Sequence, residues 1–299
     1  MDIEKLKQEK SISELLEFGI INIDKPSSPT SFNISDFVRK ILTPIEVRKT
    51  SHFGTLDPKV TGVLPIALNR ACKLTGFFLG EDKEYIGIMR IHENVDLNDI
   101  KKIISEKFTG KIKQTPPVKS RVKRQERQRE IKKFEILEVE ENKKDILFHV
   151  EVEGGTYIRK LIDDLGKELG IGAHMLELRR IRAGIFKEYD DLYPSVNLYE
   201  FEKAVDEYKK NNEKPLRDMI IPAEIISKVY PIVEIKKNNL RQILTGKPIH
   251  NKDVIGKQKI ETGKIICIFS DNRFIGMYKV INEGNIFARA EFVMQEIKE

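Results

Sequence analysis

One acidic side chain, Asp57, lies within the otherwise apolar stretch "SHFGTLDPKVTGVLPIAL" at residues 51–68. Pro58 disfavours a helical conformation for the residue before it, so Asp57 is expected to project from a turn or extended loop. A carboxylate among apolar neighbours is expected to be partly desolvated, which favours a charged partner or the protonated form. That environment is typical of a carboxylate that takes part in chemistry. An ordinary Asp-Pro turn is the alternative, and the local pattern alone favours it.

Arginine is the natural partner for such a carboxylate, because its guanidinium donates two parallel hydrogen bonds to it. Three arginines occur together in "LRRIRAG" at residues 178–184. This segment is therefore the first candidate to supply the positively charged partner of Asp57.

The excess positive charge of the chain is concentrated in one segment, "KSRVKRQERQREIKK" at residues 119–133. Eight basic residues stand there against two acidic ones, a net charge of +6 that equals that of the whole chain. Such a cluster attracts a phosphate backbone through release of counterions. A solvated helix face is the alternative, and the charge alone does not distinguish RNA from DNA or an acidic protein.

Several classes of function receive no support from the sequence. The cysteines, Cys72 and Cys267, are far apart, and the five histidines lack the close spacing of metal ligands, so we expect neither a disulfide nor a metal. Glycine-rich phosphate-binding motifs do not occur, so nucleotide-driven chemistry receives no support. Without a long apolar segment or a signal sequence, the chain is expected in the cytoplasm and away from membranes.

Strands and helices are predicted in mixed order. Residues 83–92 and 145–153 alternate apolar and polar side chains as half-buried strands do. Apolar residues in "SFNISDFVRKIL" (31–42) recur at helical spacing, with Thr30 or Ser31 available as the N-cap. No regular alternation of strand and helix is present, which favours an α+β fold with a mixed sheet flanked by helices.

A second helix and a second domain are predicted further along the chain. "GGTYIRKLIDDLGKELG" combines an apolar helical stripe with Thr156 as the N-cap and Gly170 as the stop signal. After about residue 190 the pattern changes to short β-type runs, "KIICIF" and "RFIGMYKVI". The last 70 or so residues are therefore expected to form a small β-rich domain.

Five motifs in this order resemble those of the TruB-type pseudouridine synthases. They are "GIINIDKPSSPTSF" at 19–32, "GTLDPKVTGVLPIAL" at 54–68, "KEYIG" at 83–87, "QTPPVKSRVKRQERQREI" at 114–131 and "GGTYIRKLIDDLGKELGIGAHMLELRRIRAGIF" at 154–186. Within that family, "DPKVTG" and "SRVKRQERQRE" resemble the archaeal and eukaryotic guide-RNA branch, the dyskerin type. The β-rich end of the chain is similar to a PUA domain, a small pseudo-barrel.

The resemblance implies which residues form the active site. Asp57 matches the catalytic aspartate of the family, Tyr85 matches the tyrosine that stacks on the uracil, and Arg179 matches the arginine that pairs with the aspartate. His52 corresponds to a histidine that stacks on a flipped nucleotide. The resemblance also implies that the basic segment binds RNA, through the residues Arg121, Lys123, Arg124 and Arg127.

The resemblance further implies an N-terminal extension at 1–18, a catalytic domain at 19–228 and a PUA-like RNA-binding domain at 229–299. Its reaction is the isomerisation of uridine to pseudouridine in tRNA or rRNA, without metal or cofactor. Three roles stay open: the catalytic subunit of an H/ACA guide ribonucleoprotein with guide RNA and small accessory proteins, a stand-alone tRNA enzyme, or a non-catalytic RNA-binding scaffold. Intact Asp57, Tyr85 and Arg179 argue against the scaffold.

Overall fold

The computed structural model describes residues 2–116, 125–256 and 259–295. The chain forms two compact units, one from Ile20–Met219 and the other from Met1–Gly19 together with Ile220–Glu299. The functional division at residues 18 and 228 stays a prediction. Within the described ranges, no helix is both long enough and apolar enough to cross a membrane.

The elements follow one another in mixed order along the chain, as predicted. The strands are β1 (Gly19–Lys25), β2 (Thr50–His52), β3 (Thr61–Leu68), β4 (Lys83–Ile91), β5 (Gly110–Gln114), β6 (Arg127–Val139), β7 (Asp145–Val152), β8 (Ala173–Ala183), β9 (Phe186–Lys187), β10 (Ile220–Pro222), β11 (Ile232–Glu234), β12 (Ile249–His250), β13 (Ile265–Ser270), β14 (Arg273–Glu283) and β15 (Ile286–Val293). The helices are α1 (Ile3–Glu9), α2 (Ile12–Glu17), α3 (Ser31–Leu42), α4 (Thr75–Leu79), α5 (Leu97–Lys107), α6 (Ile158–Glu168), α7 (Leu198–Lys209), α8 (Lys214–Met219) and α9 (Leu240–Leu244).

A mixed sheet forms the centre of the unit Ile20–Met219. Its strands lie in the order β1-β3-β8-β4-β7-β6-β5, with β2 beside β3 and β9 beside β8. The pair β3 and β8 is parallel, whereas β4 is antiparallel to both of its neighbours. This mixture of strand directions confirms the predicted α+β class.

The local predictions for this unit agree with the structure, with one exception. Strand β7 buries Ile146, Phe148, Val150 and Val152, the face that the alternation predicts. Helix α3 has the predicted bounds, and the Thr30 side chain caps it by accepting a hydrogen bond from the backbone N–H of the third helical residue. The predicted Thr156 cap of α6 is wrong, because Tyr157 occupies the N-cap position and the Thr156 hydroxyl donates to the carbonyl of Glu153 instead.

The second unit contains a five-stranded sheet in the order β11-β13-β14-β15-β12. The runs "KIICIF" and "RFIGMYKVI" form β13 and β14, which confirms the predicted β-rich segment. The N-terminal residues pack with the C-terminal part of this same unit. Lys10 forms an ion pair with the buried Glu224, and the ring of Phe18 stacks on that of Phe274 at 5.3 Å between centroids.

Candidate active site

The loop that carries Asp57 joins β2 to β3 in the mixed sheet. The apolar side chains of Phe53, Leu56 and Val60 are buried and anchor the loop. The backbone N–H of Val60 donates to the carbonyl of Asp57 at 3.0 Å, which closes a tight turn. The Asp57 side chain is 47% exposed, so the carboxylate lies on a fixed loop and is accessible to a substrate.

The charged partner of Asp57 is Arg159, the second residue of α6. Its Nη2 atom lies 2.5 Å from Oδ2 of Asp57. A charge-assisted bond of this length restricts the orientation of the carboxylate. Sequence analysis missed Arg159, although it lies within the motif "GGTYIRK", because no local spacing relates residue 159 to residue 57.

Arg179 has other partners, and its predicted pairing with Asp57 is wrong. Its Nη2 atom donates to Oδ2 of Asp24 at 2.9 Å and to Oε1 of Glu188 at 2.7 Å. Burial acts to lower the pKa of Arg179, but the hydrogen bonds to these two carboxylates raise it above the ordinary arginine value. Arg179 therefore joins Asp24 of β1 to Glu188, which directly follows β9.

The next residue, Arg180, is the one that reaches the Asp57 loop. Successive side chains of a strand point to opposite faces, so Arg180 lies on the other side of β8. It is 1% exposed and donates from Nε to the carbonyl of Val63 at 2.8 Å and from Nη2 to that of Gly54 at 3.0 Å. Arg180 also interacts electrostatically with the side chain of Tyr85, its neighbour in register on β4. Arg180 thus connects the tyrosine to the loop.

The buried side chain of Lys25 stabilises the turn through hydrogen bonds to backbone carbonyls. Its Nζ atom, which is fully buried, donates to the carbonyls of Pro26, Pro58 and Val60 at 2.8, 2.9 and 2.8 Å. Burial lowers the pKa of Lys25, while the nearby charge of Asp57 acts in the opposite direction. Lys25 therefore binds two carbonyls of the turn that follows Asp57 and joins this turn to Pro26 after β1, which restricts the movement of the loop.

The start of α3 is attached to the same loop. Oγ of Ser31 donates to the carbonyl of Leu56 at 2.9 Å and accepts from its N–H at 2.8 Å. The N–H of Ser28 donates to the carbonyl of Pro58 at 3.0 Å. Phe32, directly after Ser31, is 71% exposed. An aromatic ring therefore faces solvent beside the Asp57 loop.

His52 lies at the end of β2, just before the loop. Its Nε2 atom is 3.0 Å from the hydroxyl of Thr55. Burial and, to a smaller extent, the charge of Arg180 lower the pKa of His52. The imidazole is therefore neutral at pH 7, which suits stacking on a nucleobase. The stacking role of His52 stays a prediction.

The basic segment is only partly within the described residues. Arg121, Lys123 and Arg124 lie outside them, whereas Arg127 begins β6, opposite Gln114 in the β5–β6 hairpin. Two other basic residues of this segment are paired, Lys132 with Asp82 and Lys133 with Glu135, the latter at 2.8 Å. The RNA-binding role of the four predicted residues stays a prediction.

Lys83, two residues before Tyr85, is buried and gives the fold a dependence on pH. It donates to three carbonyls at the end of α4, and burial lowers its pKa to about 8. Below pH 8 both folded and unfolded chains hold this proton, and the folded chain bears the cost of burying the charge. Between pH 8 and 10.5 the folded chain releases the proton first, so its stability rises.

We expect this rise to be on the order of 3 kcal/mol in the free energy of unfolding. Denaturant titrations of the wild type and of Lys83→Met, compared at pH 7.5 and pH 10.5, measure it. All other titrating groups are common to both proteins. The free energy of unfolding of the wild type should therefore increase from pH 7.5 to pH 10.5 relative to that of Lys83→Met. A difference that does not change with pH would contradict the lowered pKa.

Comparison with known proteins identifies the family of the chain. The model of the TruB family pseudouridylate synthase N-terminal domain matches residues 39–158, and that of the tRNA pseudouridylate synthase B C-terminal domain matches residues 159–227. The probable tRNA pseudouridine synthase B of Methanopyrus kandleri is 39% identical over 265 residues, which are 88% of this chain and 75% of that protein. That of Methanocaldococcus jannaschii is 41% identical over 248 residues, which are 82% of this chain and 69% of that protein.

Two solved structures have the same fold. The chain in a Cbf5-Nop10-Gar1 complex superposes with a TM-score of 0.87 at 35% identity, over 97% of this chain and 89% of that one. The chain in an H/ACA RNP bound to a substrate RNA containing 2′-deoxyuridine gives 0.84 at 33% identity, with the same shares covered. The fold is that of a pseudouridine synthase. The chain belongs to the TruB family, whose members isomerise uridines in RNA to pseudouridine.

Proposed function

We propose that Asp57 is the catalytic carboxylate of this synthase and that Arg159 holds it in place. The observation that carries this proposal is the 2.5 Å contact between the two side chains on an accessible loop. Two backbone carbonyls of the turn after Asp57, those of Pro58 and Val60, are bound by one buried lysine, Lys25. A carboxylate fixed in this way loses little freedom when the substrate binds, which favours catalysis.

The reaction breaks the N1–C1′ bond of uridine and forms a C5–C1′ bond after the base has turned. The hydrogen on C5 leaves as a proton, and a proton is taken up at N1, so the product is an isomer of the substrate. Asp57 serves either by attacking the sugar, with its carboxylate as the leaving group later, or by removing a proton from the sugar. Neither route requires oxidation.

Tyr85 contributes the surface on which the uracil turns. Tyr85 is 8% exposed and lies beside Arg180, which is fully buried and bound to the carbonyls of Gly54 in the loop and Val63 in β3. A ring fixed in this manner can stack on a base with little loss of side-chain entropy. We propose that Arg180, instead of Arg179, is the arginine of "LRR" that serves the site.

The uridine must leave its stack to reach Asp57, so the site is proposed to bind a flipped nucleotide. The neutral imidazole of His52, at the end of β2, and the exposed ring of Phe32, at the start of α3, are proposed to contact neighbouring bases. The basic residues Arg121, Lys123, Arg124 and Arg127 are proposed to hold the phosphates.

Charge reversal at Arg121, Lys123 and Arg124 tests the role of the basic segment. We expect weaker RNA binding and a slope of log K against log salt that is smaller by about 2, because each lost phosphate contact removes about 0.7. Filter binding between 50 and 300 mM salt, as a rough range, measures the slope. Reversal of three exposed lysines of α7 and α8, Lys203, Lys209 and Lys214, is the control. An equal effect of both sets would show that net charge alone matters.

We further propose that the chain works in an H/ACA-type guide ribonucleoprotein, on rRNA or tRNA, in the cytoplasm. The support is its likeness to chains solved with Nop10 and Gar1 and in an H/ACA RNP bound to a substrate RNA. Small accessory proteins of that kind and a guide RNA would be its partners. The β-rich residues 229–299 are proposed to act as a PUA-like domain that binds the guide RNA.

Stand-alone modification of tRNA is the second candidate, and the names of the archaeal relatives favour it. Tritium release from [5-³H]uridine in an unmodified tRNA transcript distinguishes the two. Release by the purified chain alone would support the tRNA enzyme. Release that requires guide RNA and accessory proteins would support the ribonucleoprotein. No tritium release in either assay would favour a non-catalytic scaffold and overturn the proposal.

A further inference from the structure

Gln114, the last residue of β5, is attached to the segment that carries Arg159. Its amide Nε2 donates to the carbonyl of Tyr157 at 3.3 Å, and its Oε1 accepts from the N–H of Tyr157 at 3.1 Å. The Gln114 side chain is 3% exposed. The donor and the acceptor of this buried amide therefore both hydrogen-bond to the backbone of one residue, Tyr157.

Tyr157 is the N-cap of α6, two residues before Arg159. Its side chain makes no capping bond to the helix. Thr156, the predicted cap, instead donates from Oγ1 to the carbonyl of Glu153 at 2.7 Å. Because helix starts carry N–H groups without partners in the helix, an uncapped start tends to fray. The Gln114 amide does not satisfy those N–H groups, but it holds the backbone of Tyr157 in place where the helix starts.

Two further hydrogen bonds tie the segment before α6 to the same hairpin. Nε of Arg129, on β6, donates to the carbonyl of Gly155 at 3.2 Å. The N–H of Glu153 donates to the carbonyl of Glu130 at 2.9 Å. The segment that leads into α6 is thus attached to the β5–β6 hairpin at Glu153, Gly155 and Tyr157. Of these contacts, the one between Gln114 and Tyr157 is nearest in sequence to Arg159.

We propose that Gln114 is a positioning residue that sets the place of Arg159 and, through it, the orientation of the Asp57 carboxylate. The inference rests on the proposed role of the Asp57–Arg159 pair. Arg159 is 61% exposed, so little packing restrains its side chain, and its guanidinium depends on the position of its backbone. Displacement of a reacting group by about 1 Å costs on the order of a hundredfold in rate.

The structural alternative is that Gln114 only fills space at the end of β5. A buried amide costs free energy unless its hydrogen bonds are satisfied, and a methionine of similar length would fill the same volume. Gln114→Met therefore removes both bonds to Tyr157 and keeps the packing. A space-filling role predicts that this variant works normally.

The test is a double-mutant cycle with Gln114→Met and Arg159→Ala. Single-turnover tritium release at saturating RNA gives the rate, with guide RNA and accessory proteins present if they are required. Filter binding gives the Kd for RNA. We expect Gln114→Met to lower the rate by about tenfold or more with the Kd within about twofold, and to have almost no further effect when Arg159 is already alanine.

Matched variants separate positioning from loss of structure. Gln114→Glu keeps the acceptor for the Tyr157 N–H and should recover part of the rate lost in Gln114→Met. Gln8→Ala, which removes an exposed glutamine of α1, should leave the rate unchanged. Thermal unfolding of each variant shows whether it is folded at the assay temperature.

The outcomes distinguish this inference from the proposed function. An unchanged rate for Arg159→Ala would overturn the proposed role of the Asp57–Arg159 pair. A large effect of Arg159→Ala together with a normal rate for Gln114→Met would overturn the positioning role alone. Additive effects in the cycle, or a loss that appears only in the Kd, would overturn it as well.

Discussion

Asp57→Asn is expected to reduce single-turnover pseudouridine formation by about 10²-fold to 10⁶-fold, depending on whether Asp57 acts as a base or as a nucleophile. The amide has the shape of the carboxylate, but it neither attacks the sugar nor accepts a proton from it at neutral pH. Loss of a general base costs about 10²–10⁴ in rate, and loss of a nucleophile that acts as part of a unit costs up to about 10⁶. Tritium release from [5-³H]uridine RNA measures the full reaction, since the C5 hydrogen leaves only when the base rejoins the sugar.

Asp24→Asn is the matched control, because Asp24 is also a carboxylate bound to an arginine. It pairs with Arg179 and takes no part in the proposed site. We expect this variant to keep the wild-type rate and to unfold at a lower temperature. Turnover by Asp57→Asn close to that of Asp24→Asn would remove Asp57 from the mechanism and revive the scaffold.

Those parts of the fold that depend on local pattern could be predicted from the sequence. The alternation in residues 145–152 requires one buried face wherever the strand is placed in a sheet, and the helical spacing in residues 31–42 likewise requires one buried stripe. Both segments have the predicted structure. The position of Asp57 on a loop also followed from local chemistry, because Pro58 restricts the residue before it.

The partner of Asp57 could not be predicted in the same way. Arg159 and Asp57 are brought together by the packing of α6 against the sheet, and nothing in the spacing of the sequence encodes it. Within "LRR", a shift of one residue exchanges the two faces of β8, so Arg179 and Arg180 have opposite surroundings. The sequence does not show which of these two arginines points towards the Asp57 loop.

A glycine explains why Arg180 can lie so close to the Asp57 loop. Gly62 has a φ of +99°, and a Cβ atom added to it would lie 2.2 Å from the carbonyl oxygen of Arg180. Only glycine permits this approach of β3 to β8. The motif "DPKVTG" contains this residue, but its apolar pattern gives no sign that the parallel neighbour is β8.

Arg159→Ala is expected to lower the rate by about 10²–10³-fold, the cost of removing one donor that orients or stabilises a reacting charge. The side chain is 61% exposed, so its loss should change the stability of the fold little. Single-turnover tritium release and thermal unfolding of the same preparations measure the two effects. The predicted signature is a slow enzyme with an almost normal melting temperature.

Arg179→Ala should give the opposite signature. Its removal leaves Asp24 and Glu188 without their shared cation in a half-buried site, which costs about 1–3 kcal/mol of stability. At a temperature where the variant is folded, its rate should be close to that of the wild type, because the side chain lies on the other face of β8. A rate loss in Arg179→Ala larger than that in Arg159→Ala would show that Arg179, as the sequence motifs imply, is the arginine that serves Asp57.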